Sequence, residues 1–245
     1  MISKFLNIFK IPDLRKKLLV QGSAIVMNPK NGNVLGMIGG RTEKSYIDHF
    51  NRAIQSKRQP GSVFKPFIYL SALENGAKPC TQLINQPLVF FIDDTTRWNP
   101  QNHDGSTGLL TTLRDGLKRS LNLISVRIVQ ELISPTDVKK TAEKFNFSTS
   151  IRAVDAIALG VSEVKLIDMA TAYSAISNNG ILNEPLTITS IYDNDGRNLI
   201  DFQTRSKEVA DEKMIFILRD MMKSVIDNGT GGSLRWKYKF YSPAA

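Results

Sequence analysis

The chain is poor in the side chains that bind soft metals or shuttle protons at neutral pH. It has a single cysteine, Cys80, and two histidines, His49 and His103, in 245 residues. One cysteine excludes an internal disulfide and a cysteine metal cluster, so Cys80 is read as a small buried or loop residue. The histidines lie far apart and each adjoins an acid, Asp48 and Asp104, a setting that reads as structural. Long apolar runs are missing too. The longest uncharged stretch, Met169 to Asn183, is broken by Ser, Thr, Asn and Gly and falls short of a membrane span. A phosphate loop is also absent: Gly229-Thr230-Gly231-Gly232 lacks the G-x-x-x-x-G-K-[ST] spacing and follows a helical pattern where that motif needs a strand, so it is read as a flexible loop near a cleft. Acidic residues are outnumbered 23 to 32, which leaves a net charge of +9. The basic residues are spread along the chain, with no aromatic platform interleaved with Lys/Arg, no paired Cys/His spacing and no recognition-helix signature, which points away from nucleic acid and toward a positive surface facing an anionic polymer or lipid headgroups.

What is present suits one large domain: 42% of residues are hydrophobic, enough for a sizeable core. Residues 21–245 form that domain. Residues 1–20 carry Lys4, Lys10, Arg15, Lys16 and Lys17 against Asp13 and are set apart as a basic linker remnant or a new start inside a longer gene, an interfacial amphipathic helix with peripheral membrane contact being the alternative. Pro29-Lys30-Asn31-Gly32 and Asp193-Asn194-Asp195-Gly196 each separate two β-prone runs and predict hairpins. Helical patterns fall near 63–75, 112–119, 124–133, 135–145, 163–178 and 208–227, the last with Ile215, Leu218, Met222 and Val225 on one stripe. Strands at both ends with helices between predict an α+β fold, an antiparallel sheet packed against a helical cluster.

The chemistry centres on Arg58-Gln59-Pro60-Gly61-Ser62-Val63-Phe64-Lys65-Pro66-Phe67. Pro66 is tolerated only in a first helical turn, so a helix begins within a few residues of Ser62. Unpaired amides there favour negative charge developing on the hydroxyl. Lys65 lies one turn on, on the same face, within reach of the Ser62 proton. To accept it the amine must be neutral, and burial against Val63, Phe64, Phe67 and Ile68 would lower its pKa by as much as roughly 3 to 5 units. About one chance S-x-x-K is expected in a chain of this length. Ser162-Glu163-Val164-Lys165 is such a match, with Ser162 read as the N-cap of the run from Leu166 to Ser177. Downstream, Ser120-Leu121-Asn122 sits between two helical patterns, where the serine can relay a proton and the asparagine can bind a substrate amide. Ser177-Asn178-Asn179 has the same form but reads as a helix end before Gly180.

S-x-x-K followed by S-x-N is a combination used by β-lactamases and penicillin-binding proteins. The chain resembles the transpeptidase domain of class A penicillin-binding proteins from about Gly22 to its last residue. The likeness is carried by AIVMNPKNGNVLGMIGGR (24–41), FNRAIQSKRQPGSVFKPF (50–67), WNPQNHDG (98–105), SLNLISV (120–126) and ALGVSEVKLIDMATAYSAISNNG (158–180). The resemblance implies the serine penicillin-recognising fold, with Ser62 as nucleophile, Lys65 as its base, Ser120 as proton relay and Asn122 holding a substrate amide. It implies D,D-transpeptidation of D-Ala-D-Ala stem peptides of peptidoglycan, acylation of Ser62 by β-lactams, no metal or organic cofactor, and a site of action outside the cytoplasm. Trp98-Asn99-Pro100-Gln101-Asn102 is placed near the cleft and is given no catalytic role.

The family's third motif, K-T-G, has no counterpart. Lys140-Thr141-Ala142 falls inside a helical pattern capped by Ser134 and Pro135, and the chain reaches Ser242-Pro243-Ala244-Ala245 where the family continues into G-K-T-G. The expectation is a C-terminally incomplete domain without the family's glycosyltransferase domain or membrane anchor. Loss of the oxyanion-hole donor that the K-T-G strand supplies would cost about two to three orders of magnitude in rate. A non-catalytic remnant, or one piece of a split gene partnered by the remainder, is therefore the alternative. A stand-alone carboxypeptidase or β-lactamase is disfavoured by the class A flanks.

Overall fold

The structure, a computed structural model, describes residues 22–40, 50–91 and 97–241. The basic segment 1–20, His49 and the last four residues lie outside that set. Asn28 and Asn31 accept hydrogen bonds from backbone amides two residues on, and Gly32 takes a positive φ, which closes the first turn. The flanking strands β1 (Ala24–Met27) and β2 (Val34–Ile38) pair antiparallel with Ala24 opposite Ile38. The short β3 (Lys57–Arg58) leads into a 3-10 turn, Gly61–Phe64, and then helix α1 (Lys65–Glu74) with Pro66 in its first turn.

Every residue of α1 from Lys65 to Leu73 is buried, so this helix is the axis of the core. Phe67 packs edge-on against Phe145, Phe147 and Tyr173, with ring centres 5.1, 5.6 and 6.1 Å away. The strands β4 (Gln82–Ile84), β5 (Phe90–Phe91), β6 (Arg97–Trp98) and β7 (Leu110–Thr112) form two ladders, β4 with β7 and β5 with β6. Helix α2 (Leu113–Lys118) is capped by the Thr112 hydroxyl. Helix α3 (Asn122–Arg127) widens into a π turn over Ile128–Leu132. In α4 (Pro135–Lys144), Ser134 and Asp137 form a reciprocal capping box, and Lys140-Thr141-Ala142 lies inside it as expected.

The strand β8 (Val164–Lys165) pairs with β3 and precedes α5 (Leu166–Ser177). The expectation that Ser162 caps this helix is corrected here. The cap position is Lys165, without a side-chain bond, because residues 164 and 165 are taken up in the ladder with β3; Ser162 is buried and its Oγ accepts from the Arg152 amide at 2.9 Å. The chain then runs through β9 (Ile181–Asn183), the hairpin β10 (Ser190–Tyr192) with β11 (Asn198–Asp201), and β12 (Ser206–Glu208), which pairs with β9. Helix α6 (Glu212–Asn228) starts four residues later than its sequence pattern, since the Asp211 carboxylate caps the amides of Lys213 and Met214. Its Ile215, Leu218 and Met221 are buried, with Met222 and Val225 packed at the margin. Helix α7 (Ser233–Trp236) follows. The fold is mixed helix and sheet, with the described strands arranged as six antiparallel two-stranded ladders around the α1 cluster. Among the described residues no helix is long and apolar enough to cross a membrane.

Candidate active site

Two glycines place the turn that carries Ser62. Gly61 and Gly160 both have positive φ, and the Gly61 amide donates to the Gly160 carbonyl at 3.2 Å. A Cβ on Gly160 would stand 2.3 Å from the Gly61 carbonyl oxygen, so only glycine permits this approach. The turn so anchored holds Ser62 exposed at the start of α1, and Tyr173 from α5 ties it down by donating to the Val63 carbonyl at 2.7 Å. Val63, expected to help bury the lysine, is 52% exposed instead, because the 3-10 turn rotates it outward.

Lys65 is 1% exposed. Its Nζ donates to three acceptors of the Ser120-Leu121-Asn122 segment: the Ser120 carbonyl at 2.6 Å, Ser120 Oγ at 3.0 Å and Asn122 Oδ1 at 2.9 Å. Burial of the charge lowers its pKa from 10.5 to about 8. Ser120 can present both oxygens to the lysine because its backbone is left-handed, φ 55°, a conformation a non-glycine residue keeps only where surrounding contacts hold it. Asn122 opens α3, and its Nδ2 donates to the Gln101 carbonyl at 2.8 Å. One Nδ2 hydrogen and one Oδ1 lone pair remain for another amide.

The direct Ser62–Lys65 hydrogen bond expected from the i, i+3 spacing is not formed. The three N–H groups of the ammonium are taken up by the S-x-N segment, which leaves none for Ser62 Oγ. Ser62, Lys65 and Ser120 nevertheless line one cavity of about 390 Å³, closed by Leu117, Tyr173 and, from α6 and its C-terminal turn, Met222, Val225 and Thr230. Thr230 belongs to the Gly229–Gly232 turn, which is thus beside the cleft; its amide is held by the Lys118 carbonyl. A larger cavity of about 760 Å³ lies on the far side of Pro60. It is lined by Arg52, Arg58 and Lys165 but by none of the four predicted site residues.

Sequence reasoning missed the contribution of the 98–106 loop. Asn102 is buried and bonded to both Asn85 and α3, and Asp104 forms an ion pair with Arg119 at 2.6 Å, next to Ser120. The string Pro100-Gln101-Asn102 reads as a turn, and nothing in its spacing relates it to residues twenty positions later.

A family model described as the penicillin binding protein transpeptidase domain matches residues 22–245. The chain belongs to this family. Over 215 residues it is 31% identical to penicillin-binding protein 2D of Bacillus subtilis (strain 168), covering 87% of this chain and 31% of that protein. Over 220 residues it is 33% identical to penicillin-binding protein 1A of Neisseria meningitidis serogroup A, covering 86% of this chain and 27% of the relative. These relatives are class A penicillin-binding proteins. The crystal structure of penicillin-binding protein 1A from Haemophilus influenzae superposes with a TM-score of 0.81 at 27% identity, covering 88% of this chain and 38% of that one. The penicillin-recognising serine hydrolase fold is therefore shared. The chain spans about a third or less of the length of these relatives.

Proposed function

We propose that this transpeptidase domain acts on peptidoglycan stem peptides through an acyl-enzyme on Ser62. The observation that carries the reading is the buried lysine bonded at once to both polar members of the S-x-N segment, in one cavity with an exposed serine. In its neutral form Lys65 accepts the Ser62 proton as Oγ adds to the carbonyl between two terminal D-alanines. The C–N bond then breaks, and the departing D-alanine nitrogen receives that proton through the Ser120 hydroxyl, for which the Lys65–Ser120 bond supplies the path. The ester left on Ser62 is attacked by an amine of a neighbouring stem peptide, which forms the cross-linking amide and returns the serine proton. Asn122 holds a substrate amide with its remaining donor and acceptor. β-Lactams acylate Ser62 as mimics of the D-Ala-D-Ala amide, and the site of action lies outside the cytoplasm, where peptidoglycan is.

Intact-mass spectrometry of the chain after incubation with a fluorescent penicillin tests this. One covalent adduct is expected, located to Ser62 by peptide mapping and missing from Ser62→Ala. Labelling of folded Ser62→Ala would remove Ser62 as the nucleophile. A folded parent chain that takes up no label would replace the catalytic reading with the non-catalytic one.

A further inference from the structure

Helix α3 begins without a cap of its own: the residue before it is Leu121, which has no side-chain oxygen to offer its first amides. The missing acceptor comes from the 98–106 loop. Asn102 Oδ1 accepts from the Leu123 amide at 3.0 Å, while its Nδ2 donates to Asn85 Oδ1 and to the Ser106 carbonyl, each at 2.7 Å. Asn102 is 6% exposed and Asn85 3%, so this junction is shielded from water and its bonds have no solvent substitute. One residue earlier, the Gln101 carbonyl takes Asn122 Nδ2. That bond decides which way the Asn122 amide points, because a flipped amide would set Oδ1 against the Gln101 carbonyl and Nδ2 against the lysine ammonium. The chain of contacts thus runs from Asn85 through Asn102 and the Gln101 carbonyl to Asn122, and from there to Lys65.

We propose that Asn102 is a positioning residue for the catalytic lysine: by capping α3 and seating the Gln101 carbonyl, it holds Asn122 Oδ1 on Lys65 Nζ and so sets how tightly the lysine keeps its proton. The inference rests on the reading of Lys65 as proton acceptor. Few other groups compete for that control. The 3-10 turn presents Ser62 to the lysine. Tyr173 comes from α5, its hydroxyl engaged by Val63 and kept neutral by burial. Helix α6 presents apolar Met222, Val225 and Ile226, and α2 presents Leu117. Arg119, which precedes Ser120 in sequence, is paired with Asp104, and among the described residues no carboxylate lines the cavity.

The test is the titration of Lys65 by 13C NMR of lysine-labelled full-length chain, the signal being assigned with Lys65→Arg. Asn102→Ala releases the α3 start and the Gln101 carbonyl, and with them the hold of Asn122 Oδ1 on the ammonium, so Lys65 should release its proton about one pH unit lower, a tenfold change in proton affinity. In an Asn122→Ala background the same substitution should move the titration by less than about 0.3 units, since the path through Asn122 is already cut. An unchanged Lys65 titration in folded Asn102→Ala, or an equal shift in both backgrounds, would overturn the proposal and leave Asn102 a purely structural residue. If Asn102→Ala does not unfold cooperatively, Asn102→Ser is the substitute, and the same two outcomes decide. The readout does not depend on acylation. Coupling without penicillin labelling would sink the proposed function and leave Asn102 setting the proton affinity of a non-catalytic lysine, while labelling without coupling would sink this inference alone.

Discussion

In the proposed reaction Lys65 can take the Ser62 proton only after losing its own, and burial decides at what pH that happens. With its pKa lowered to about 8, roughly one lysine in ten is neutral at pH 7 and nine in ten at pH 9. Labelling of Ser62 by a penicillin should therefore rise about tenfold between these values, and a rate flat across that window would show that Lys65 does not take the proton. Ser162, the other serine in an S-x-x-K string, has a different fate. Its buried Oγ is the acceptor for the Arg152 amide, so Ser162→Ala should lower stability by about 1 kcal/mol in urea unfolding while leaving the labelling rate unchanged. Selective loss of labelling in a stable Ser162→Ala chain would reassign the nucleophile.

At the scale of elements, the start of α1 and the Ser62 turn are positioned by backbone rather than by side chains. The 3-10 turn carrying Ser62 rests on Gly160, at the end of the turn Asp155–Leu159, and the contact is too close for any Cβ. Gly160→Ala combines that clash with the left-handed penalty of about 1 to 2 kcal/mol, and neither can be relieved without moving the Ser62 turn. Labelling should fall by at least about tenfold together with a lower unfolding midpoint. Normal labelling would mean that the turn tolerates displacement. Helix α3 shows the complementary case, in which a loop side chain rather than a neighbouring residue caps the helix start.

For the whole molecule, the aromatic and aliphatic core around α1 carries the stability, and parts of the surface contribute little to it. The β10–β11 hairpin exposes Ile191, Leu199 and Ile200 and is closed by its own turn bonds from Asp193. Replacing Ser190–Asp201 by a short Gly-Ser connection should leave Tm within about 2 °C, because little apolar surface moves from core to water. A drop of several times that would show that the hairpin braces the core. Trp236 to Tyr241 is a second exposed feature that interleaves lysines with aromatic rings, against the sequence expectation of no such platform, with Trp236 73% and Tyr241 71% exposed.

Local rules were enough for much of this protein. Pro66 located the start of α1, the Asn-Gly and Asp-Gly turns located the β1–β2 and β10–β11 hairpins, and the stripe on α6 identified its buried face, since each depends on residues a few positions apart. The pairing of S-x-x-K with S-x-N was legible as a pattern, and the family followed from the order of the flanking blocks. Three-dimensional packing decided the rest. Lys65 has enough donors to choose among several acceptors, and only the folded arrangement turned it toward Ser120 and Asn122 instead of Ser62. Ser162 matched a capping rule, but the β3–β8 ladder occupied the residues that the rule required to be helical. The role of Asn102 was invisible in one dimension because its partners, Asn85 and Leu123, come from separate elements, and a buried amide takes its meaning from whatever the fold places opposite it.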